Sequence, residues 1–331
     1  MFCTEQLSRL ARIVTAAAVT LLSIAGAVAQ AASTDYPVRP VRFVVPFPPG
    51  GAVDIVARLL AQQLTEALGQ QVVIDNRGGA STIIGTELVA RATPDGYTLL
   101  MGTAALATNP GLYPKLPYDA ARDLAPIVHV GSTPLVLVVP PTLAVHTVKD
   151  LIALAQAKRG QLNFASSGNA GPAHLAGELF KTMAGVDMVH VPFRGAGLAL
   201  PALAGSQVQL MFATMPSAMP LVKSGQIRAI AVTSLTRVRA APELPPVAET
   251  LPKFEVAGWY GLLAPAKTPA TIIQRLNKHT ASILQRPDFR DRVAADGTEA
   301  KGGTPAEFAA YIASETQKWA NVIRRASVKA E

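Results

Sequence analysis

Hydrophobic residues along this chain follow two alternating patterns. Short, mostly apolar runs, typical of strands, occur at 41–45, 71–74, 97–101, 135–139, 162–165, 188–191, 208–212 and 227–233, and the run at 135–139 is continuously apolar. Between them, apolar residues recur with helical spacing at 53–68, 83–91, 148–157, 173–184 and 198–204. Strands that alternate with helices in this way predict an α/β protein with parallel sheets.

Two long helices are predicted near the C-terminal end, each with its own start signal. Thr268 followed by Pro269 is typical of an N-cap and a first helical position. Thr304, Pro305 and Glu307 form a capping-box sequence, in which the glutamate reaches back to the N-cap amide. We therefore expect helices to begin at both places.

The N-terminal stretch has the layout of a secretory signal peptide. Arg9 and Arg12 precede an uncharged, mostly apolar run at 13–28, and two overlapping small-x-small sites follow at 27–29 and 29–31. The run is short for a bilayer span, and its small residues suit a peptidase better than an anchor, which is the alternative. We expect cleavage after this segment and a location in the periplasm.

The rest of the chain is long enough for two lobes, and no Gly/Ser-rich linker separates them. We therefore expect the chain to cross between lobes through ordered strands at 135–139 and 227–233. The predicted organisation is a signal peptide at 1–31, a first lobe at 32–138 plus 233–331, and a second lobe at 139–232.

Composition excludes several classes of function. The formal net charge is +8, but the basic residues are scattered and no Lys/Arg stripe with interleaved aromatics occurs, so nucleic-acid binding is not expected. The one cysteine, Cys3, lies in the predicted signal peptide, and the five histidines lack metal-ligand spacing, so no metal site is expected. Nucleotide-binding glycine motifs and a nucleophile elbow are also missing, so we predict neither a cofactor nor an enzyme.

Three glycine-bearing loops each follow a predicted strand and precede a predicted helix, at 48–51, 166–172 and 193–197. Helix N-termini offer unpaired N–H groups, and glycine lets a ligand approach the backbone closely. In open α/β sheets such loops lie together at the carboxyl ends of the strands. They predict a cleft for a small anion, although each loop alone could be an ordinary tight turn.

Side chains near these loops add candidate contacts. Ser166, Ser167 and Asn169 supply polar groups on the second loop, and His174 follows in the first turn of the next helix. His174 could contact a ligand, and a packed or solvated histidine is the alternative. Asp54, after the first loop, is expected to cap its helix.

A series of short motifs extends through nearly all of the chain after residue 31. It begins with Pro46-Phe47-Pro48-Pro49-Gly50-Gly51 followed by Asp54. The later motifs are IGTE at 84–87, PDGYTL at 94–99, LPYD at 116–119, SSG at 166–168, HLAGELF at 174–180, HVPFRG at 190–195, APA at 264–266 and GGTP at 302–305. In these motifs the sequence resembles the Bug family, the substrate-binding proteins of tripartite tricarboxylate transporters.

The resemblance implies a type II periplasmic-binding-protein fold, with two α/β lobes, two crossover strands and a cleft that closes on its ligand. It implies a small organic carboxylate as ligand, such as a dicarboxylate, a tricarboxylate, an acidic amino acid or an aromatic acid. It also implies the membrane subunits of a tripartite tricarboxylate transporter as partners. We expect the protein to be a monomer.

Site residues follow from the resemblance position by position. Phe47, Pro49, Gly50 and Gly51 are expected to form one wall, and Ser166, Ser167 and Asn169 to bind a carboxylate from the other lobe. Phe193, Arg194, Gly195 and Ala196 are expected near a second carboxylate and its waters.

Two segments depart from the family pattern. Many relatives have an acidic or amide pair at the positions of Ala213 and Thr214, and Pro-Gly-Ala-Gly-Gly at 78–82. Thr214 therefore changes the polarity of a loop expected to face the cleft. Two other functions stay open at this stage: a sensor subunit that presents the ligand to a histidine kinase, and a periplasmic enzyme acting on a carboxylate, for which no catalytic set can be named.

Overall fold

The computed structural model describes residues 36–295 and 297–329, so the predicted signal peptide at 1–31 lies outside the described residues. The strands are β1 (Val41–Val45), β2 (Val72–Asn76), β3 (Thr98–Thr103), β4 (Leu124–Val139), β5 (Asn163–Ser166), β6 (Val189–Pro192), β7 (Leu210–Thr214), β8 (Arg228–Val232), β9 (Ala257–Pro265) and β10 (Glu299–Gly302). The helices are α1 (Ala52–Leu68), α2 (Ile83–Ala90), α3 (Ala105–Leu112), α4 (Ala120–Asp123), α5 (Val148–Ala157), α6 (Pro172–Ala184), α7 (Ala196–Ala204), α8 (Met215–Lys223), α9 (Ala270–Gln285), α10 (Pro287–Ala294) and α11 (Pro305–Ala326).

The first lobe is built on β1, which pairs in parallel with β2 on one side and β3 on the other. Four of its five residues are buried and only Arg42 is not, as expected for a mostly apolar strand in the middle of a parallel sheet. Strand β9 adds to β3 in antiparallel orientation, β4 adds to β9, and β10 adds to β4.

Strand β4, with 16 residues, takes part in both lobes. Residues 124–134 pair with β9 of the first lobe, whereas Leu135–Val138 pairs with β7 of the second. In the second lobe β7 and β6 flank β5 in parallel, and β8 pairs antiparallel with β4. The molecule therefore has two α/β lobes joined by crossover strands.

The buried hydroxyl of Thr233 connects the chain segments that cross between the lobes. Thr233 Oγ1 accepts the backbone N–H of Leu135 at 2.7 Å and donates to the carbonyl of Val256 at 2.5 Å. Backbone bonds from Thr233 to Leu135 and from Val256 to Thr233 complete the connection, with N···O distances of 2.9 and 3.0 Å. The boundaries predicted after residues 138 and 232 stay predictions.

Close packing in the first lobe depends on a glycine of β9. An added Cβ at Gly261 would lie 2.0 Å from the ring of Phe308 on α11. The same ring stacks on His129 of β4, at a centroid distance of 5.4 Å, and meets Trp259 edge-on at 5.6 Å. Glycine at 261 thus lets α11 press its aromatic face against the sheet.

The capping predictions have different outcomes. The capping box of α11 is confirmed: Glu307 N–H donates to Thr304 Oγ1 at 3.2 Å, and Thr304 N–H donates to Glu307 Oε2 at 2.7 Å. The prediction for Thr268 is wrong, because its hydroxyl donates to the carbonyl of Pro265 at 2.7 Å and Pro269 is the N-cap of α9.

Within residues 36–295 and 297–329, no helix has both the length and the apolar character needed to cross a bilayer.

Candidate functional site

A cleft of about 760 Å³ lies between the two lobes. The first lobe contributes the loop after β1, the turn after β2, the segment from the end of β3 through α3, and the start of β9. The second lobe contributes the loop before α6 and the end of β7. The lining residues are Pro46, Phe47, Pro48, Val53, Gly79, Ser81, Thr82, Thr103, Ala104, Ala105, Thr108, Asn109, Leu112, Tyr113, Asn169, Ala170, Gly171, Pro172, Leu175, Thr214, Val256, Ala257, Gly258, Trp259, Tyr260 and Trp319.

The lining combines neutral polar groups with large apolar faces. Among the described residues that line the cleft, none is an Asp, Glu, Lys, Arg or His. Hydroxyl and amide groups of residues such as Thr103, Asn109 and Thr214 supply hydrogen-bonding capacity, while Phe47 and Trp259 supply aromatic surface. Such a cleft can hold an anion only through neutral donors, backbone N–H groups and water.

Asp54 fixes the first loop from within helix α1. This carboxylate is 2% exposed; its Oδ2 accepts the N–H of Gly50 at 2.8 Å and Arg58 Nε at 2.8 Å, and its Oδ1 accepts Asn76 Nδ2 at 2.9 Å. Burial raises the pKa of Asp54, but the hydrogen bonds from Arg58, Gly50 and Asn76 outweigh it and hold the pKa below its usual value. The predicted helix-capping role of Asp54 is wrong, because the N-cap of α1 is Gly51 without a side-chain cap, and Asp54 instead accepts the N–H of Gly50 one residue before it.

We expect Asp54→Asn to lower the free energy of unfolding by about 1.5–3 kcal/mol, the scale of lost hydrogen bonds to a charged group. The matched control is Arg58→Gln, which removes only the partner whose side chain is 53% exposed. It should cost less, since Asp54 keeps its hydrogen bonds from Gly50 and Asn76. Urea unfolding of both variants checks the difference, and equal losses would mean that the contacts with Gly50 and Asn76 are unimportant.

The first loop meets the cleft only in part. Phe47 lines it, but Pro49, Gly50 and Gly51 are exposed and are not among the lining residues. Gly50 has φ +87°, where glycine is favoured, and its N–H is already bonded to Asp54. The wall predicted for these four residues is therefore represented by Phe47, and a ligand contact at the other three stays a prediction.

The second loop is held by two histidines beneath it. Ser166 is fully buried; its hydroxyl donates to the carbonyl of Gly168 at 2.8 Å and accepts from His190 Nε2 at 2.7 Å. His174 Nδ1 accepts the N–H of Ala170 at 3.0 Å. These bonds place the proton of each neutral imidazole on Nε2. They also set the conformation of the loop that carries Asn169 into the cleft.

The histidine rings stack on each other, with centroids 3.6 Å apart and planes 11° apart. Burial, followed by the neighbouring His190 and Lys181, lowers the pKa of His174 to about 4. Burial and Lys181 lower the pKa of His190 to about 4. Both side chains are buried and bonded within the protein, so they position the loop, as in the packed alternative for His174; ligand contact by Ser166 and His174 stays a prediction.

The third loop is hydrogen-bonded to the second through its backbone. The N–H of Phe193 donates to the carbonyl of Ser166 at 3.0 Å, and that of Gly195 to Ser167 at 3.1 Å. Phe193, Arg194, Gly195, Ala196 and Ser167 are absent from the residues that line the cleft. Direct contact between these five residues and a ligand stays a prediction.

Three predicted site residues line the cleft: Phe47, Asn169 and Thr214. Sequence reasoning missed the contributions of α3 and of the start of β9. Neither segment carries a glycine loop or a charged group that would signal binding. The departure from the family pattern at 78–82 was the one available signal, because Ser81 and Thr82 both line the cleft.

Two α/β lobes that enclose a neutral cleft between crossover strands define a periplasmic solute-binding protein of the type II fold, as predicted. The family model for the tripartite tricarboxylate transporter family receptor matches residues 56–328, and the chain belongs to this family. Members of the family are substrate-binding receptors and not enzymes.

Relatives and solved structures agree with this assignment. Protein BugT of Bordetella pertussis is 38% identical over 311 residues, which cover 93% of this chain and 95% of BugT. A structure of an R. palustris protein with adipate is 37% identical, with a TM-score of 0.74, and the match covers 89% of this chain and 100% of that one. MatC from Rhodopseudomonas palustris with bound malate is 31% identical, with a TM-score of 0.69, and the match covers 87% and 100%.

Proposed function

We propose that this protein captures a small organic carboxylate in the interlobe cleft and delivers it to the membrane subunits of a tripartite tricarboxylate transporter. It acts in the periplasm as a monomer, after cleavage of the signal peptide at 1–31. The observation that carries the proposal is the cleft of about 760 Å³, lined from both lobes by neutral hydrogen-bonding groups.

Such a cleft can bind an anion without a charged partner among its lining residues. A carboxylate bound by neutral donors keeps its charge without an ion pair, so it can also be released without breaking one. The indole N–H of Trp259 is a further candidate donor to the ligand, because it is buried and has no hydrogen-bond partner in the described part of the chain. Two solved relatives contain adipate and malate, which supports a carboxylate ligand for this chain.

Both lobes contribute lining residues, so a ligand that contacts both favours a closed arrangement by its higher affinity for that state. We place the hinge where Thr233, Leu135 and Val256 are bonded together. Closure then produces the surface by which a transporter distinguishes the loaded receptor from the empty one.

The test begins with native mass spectrometry of the exported, freshly purified protein, which also reports the processed N-terminus and the oligomeric state. A thermal-shift screen of carboxylates on protein stripped of carried-over ligand follows. At 100 times the dissociation constant a ligand should stabilise the fold by about 2.7 kcal/mol. Small-angle scattering with the best ligand should show a smaller radius of gyration. A broad carboxylate screen without any shift would overturn the proposal.

A further inference from the structure

The turn between β2 and α2 has an unusual backbone. Ala80, Ser81 and Thr82 have φ values of 45°, 51° and 75°, so three consecutive residues with side chains lie in the left-handed region. L-residues rarely adopt this conformation, and a β-branched residue such as Thr82 adopts it least readily. Strain of this kind persists only where surrounding contacts impose it, and it is typical of ligand-binding sites.

Two contacts from the segment around α3 hold the turn in place. Asn109 Nδ2 donates to the carbonyl of Ser81 at 2.9 Å. The hydroxyls of Ser81 and Tyr113 lie 2.7 Å apart and form a hydrogen bond in which either can donate. Ser81, Asn109 and Tyr113 all line the cleft.

One of the two hydroxyl protons of Ser81 and Tyr113 is not used in the hydrogen bond between them. Ser81 and Tyr113 carry one hydroxyl proton each, and their mutual hydrogen bond uses one of the two. Whichever hydroxyl donates within the pair, the other proton is free to donate to an acceptor in the cleft. The turn therefore presents a neutral donor at the first-lobe end of the cleft, on a conformation that the neighbouring contacts fix in advance.

Large apolar faces also line the cleft. Phe47, Leu112, Leu175, Trp259 and Tyr260 supply large apolar or aromatic faces to the same cleft. A compact acid that carries hydroxyls throughout would place some of them against these faces without partners, which is unfavourable. A ligand with polar ends and a hydrocarbon middle matches the distribution of groups.

We propose that Ser81 and Tyr113 are specificity-determining residues, and that their spare proton binds the second carboxylate of a dicarboxylate with an apolar middle. This inference rests on the proposed carboxylate-binding function and names the subclass of ligand. The pair acts by contact with the ligand, and Asn109 acts as a positioning residue through the carbonyl of Ser81.

The experiment compares adipate with hexanoate, two six-carbon acids that differ in the second carboxylate. Isothermal titration calorimetry on the wild-type protein should give a preference for adipate of at least about tenfold. Ser81→Ala and Tyr113→Phe should each reduce the preference in part, because the hydroxyl that remains keeps a proton to donate but loses the hydrogen bond that holds it in position. The double variant should bring it to within about threefold, with hexanoate affinity nearly unchanged. Ser224→Ala, at an exposed position outside the cleft, is the matched control and should keep the wild-type preference.

The outcomes separate the two proposals. If the wild-type protein binds no acid in the carboxylate screen, the proposed function fails and this inference fails with it. If it binds carboxylates but shows no preference for adipate, or if the double variant keeps that preference, only this inference is overturned. Thermal unfolding of every variant checks folding, and the single variants decide the matter if the double variant does not fold.

Discussion

Gly258→Trp is expected to weaken carboxylate binding more than 100-fold, a loss of about 2.7 kcal/mol, while the protein stays folded. Gly258 lies at the start of β9, paired with Thr133 of β4, and lines the cleft. An added Cβ there would meet only the carbonyl oxygen of Thr133, at 3.7 Å, which is an ordinary van der Waals distance. A large side chain at this position therefore occupies space that a ligand needs rather than space filled by the core.

The matched control is Gly258→Ala, which adds the Cβ alone and should change affinity by less than about fivefold, or 1 kcal/mol. Calorimetric titration with the carboxylate selected in the screen measures both variants, and urea unfolding confirms that they fold. Gly261→Ala, three residues further along β9, offers the contrast, because its Cβ would collide with Phe308 and destabilise the protein. Wild-type affinity in Gly258→Trp would show that the ligand binds elsewhere.

The second large effect is a loss of stability in mild acid. His129, His174 and His190 each have a pKa lowered from 6.5 to about 4, chiefly because burial disfavours the charged imidazole. Above pH 6.5 these groups are neutral in both the folded and the unfolded protein. Between pH 6.5 and about 4 only the unfolded chain binds the protons, so acid favours unfolding.

Within this window each histidine should reduce the free energy of unfolding by about 1.4 kcal/mol per pH unit. Protonation of His174 at Nδ1 would also set a proton against the N–H of Ala170, which now donates to that atom. Lys181 lies close to both rings of the stacked pair and disfavours their protonation. Glu178, 3.8 Å from His174 Nε2, favours protonation of His174.

Urea unfolding from pH 7.5 to 4.5 measures the slope of the free energy of unfolding against pH. His190→Gln should lower it, because one of the histidines with a lowered pKa is removed. The control is His146→Gln, at an exposed position outside the clusters, which should leave the slope unchanged. A free energy of unfolding that is equal at pH 7 and pH 5 would contradict the prediction.

Most strands of the fold could be predicted because their signal is local. The mostly apolar run of β1 is buried except at Arg42, and Thr304 bonds its partner Glu307 three residues away. The first part of β4 was missed for a physical reason. Pro126 and His129 interrupt its apolar pattern, and the register of its pairing with β9 shifts at both places.

Thr268 shows how a tertiary contact overrides a local rule. Its sequence is a good N-cap signal, but the hydroxyl is buried and bonds the carbonyl of Pro265 at the end of β9. The helix consequently begins one residue later than the signal indicates. Local capping chemistry predicts a helix start correctly only when no nearby carbonyl competes for the same hydroxyl.

The sequence by itself determined the class of this protein: its alternating α/β pattern and its glycine-bearing loops are local, and its family motifs lie in order along the chain. Only the tertiary structure decided which residues line the cleft. Tyr113 and Gly258 are 145 positions apart, and they line the same cleft because β9 pairs with β3, the strand that leads into α3. Sequence spacing carries no information about such neighbours, because side chains come together here through strand order rather than through proximity along the chain.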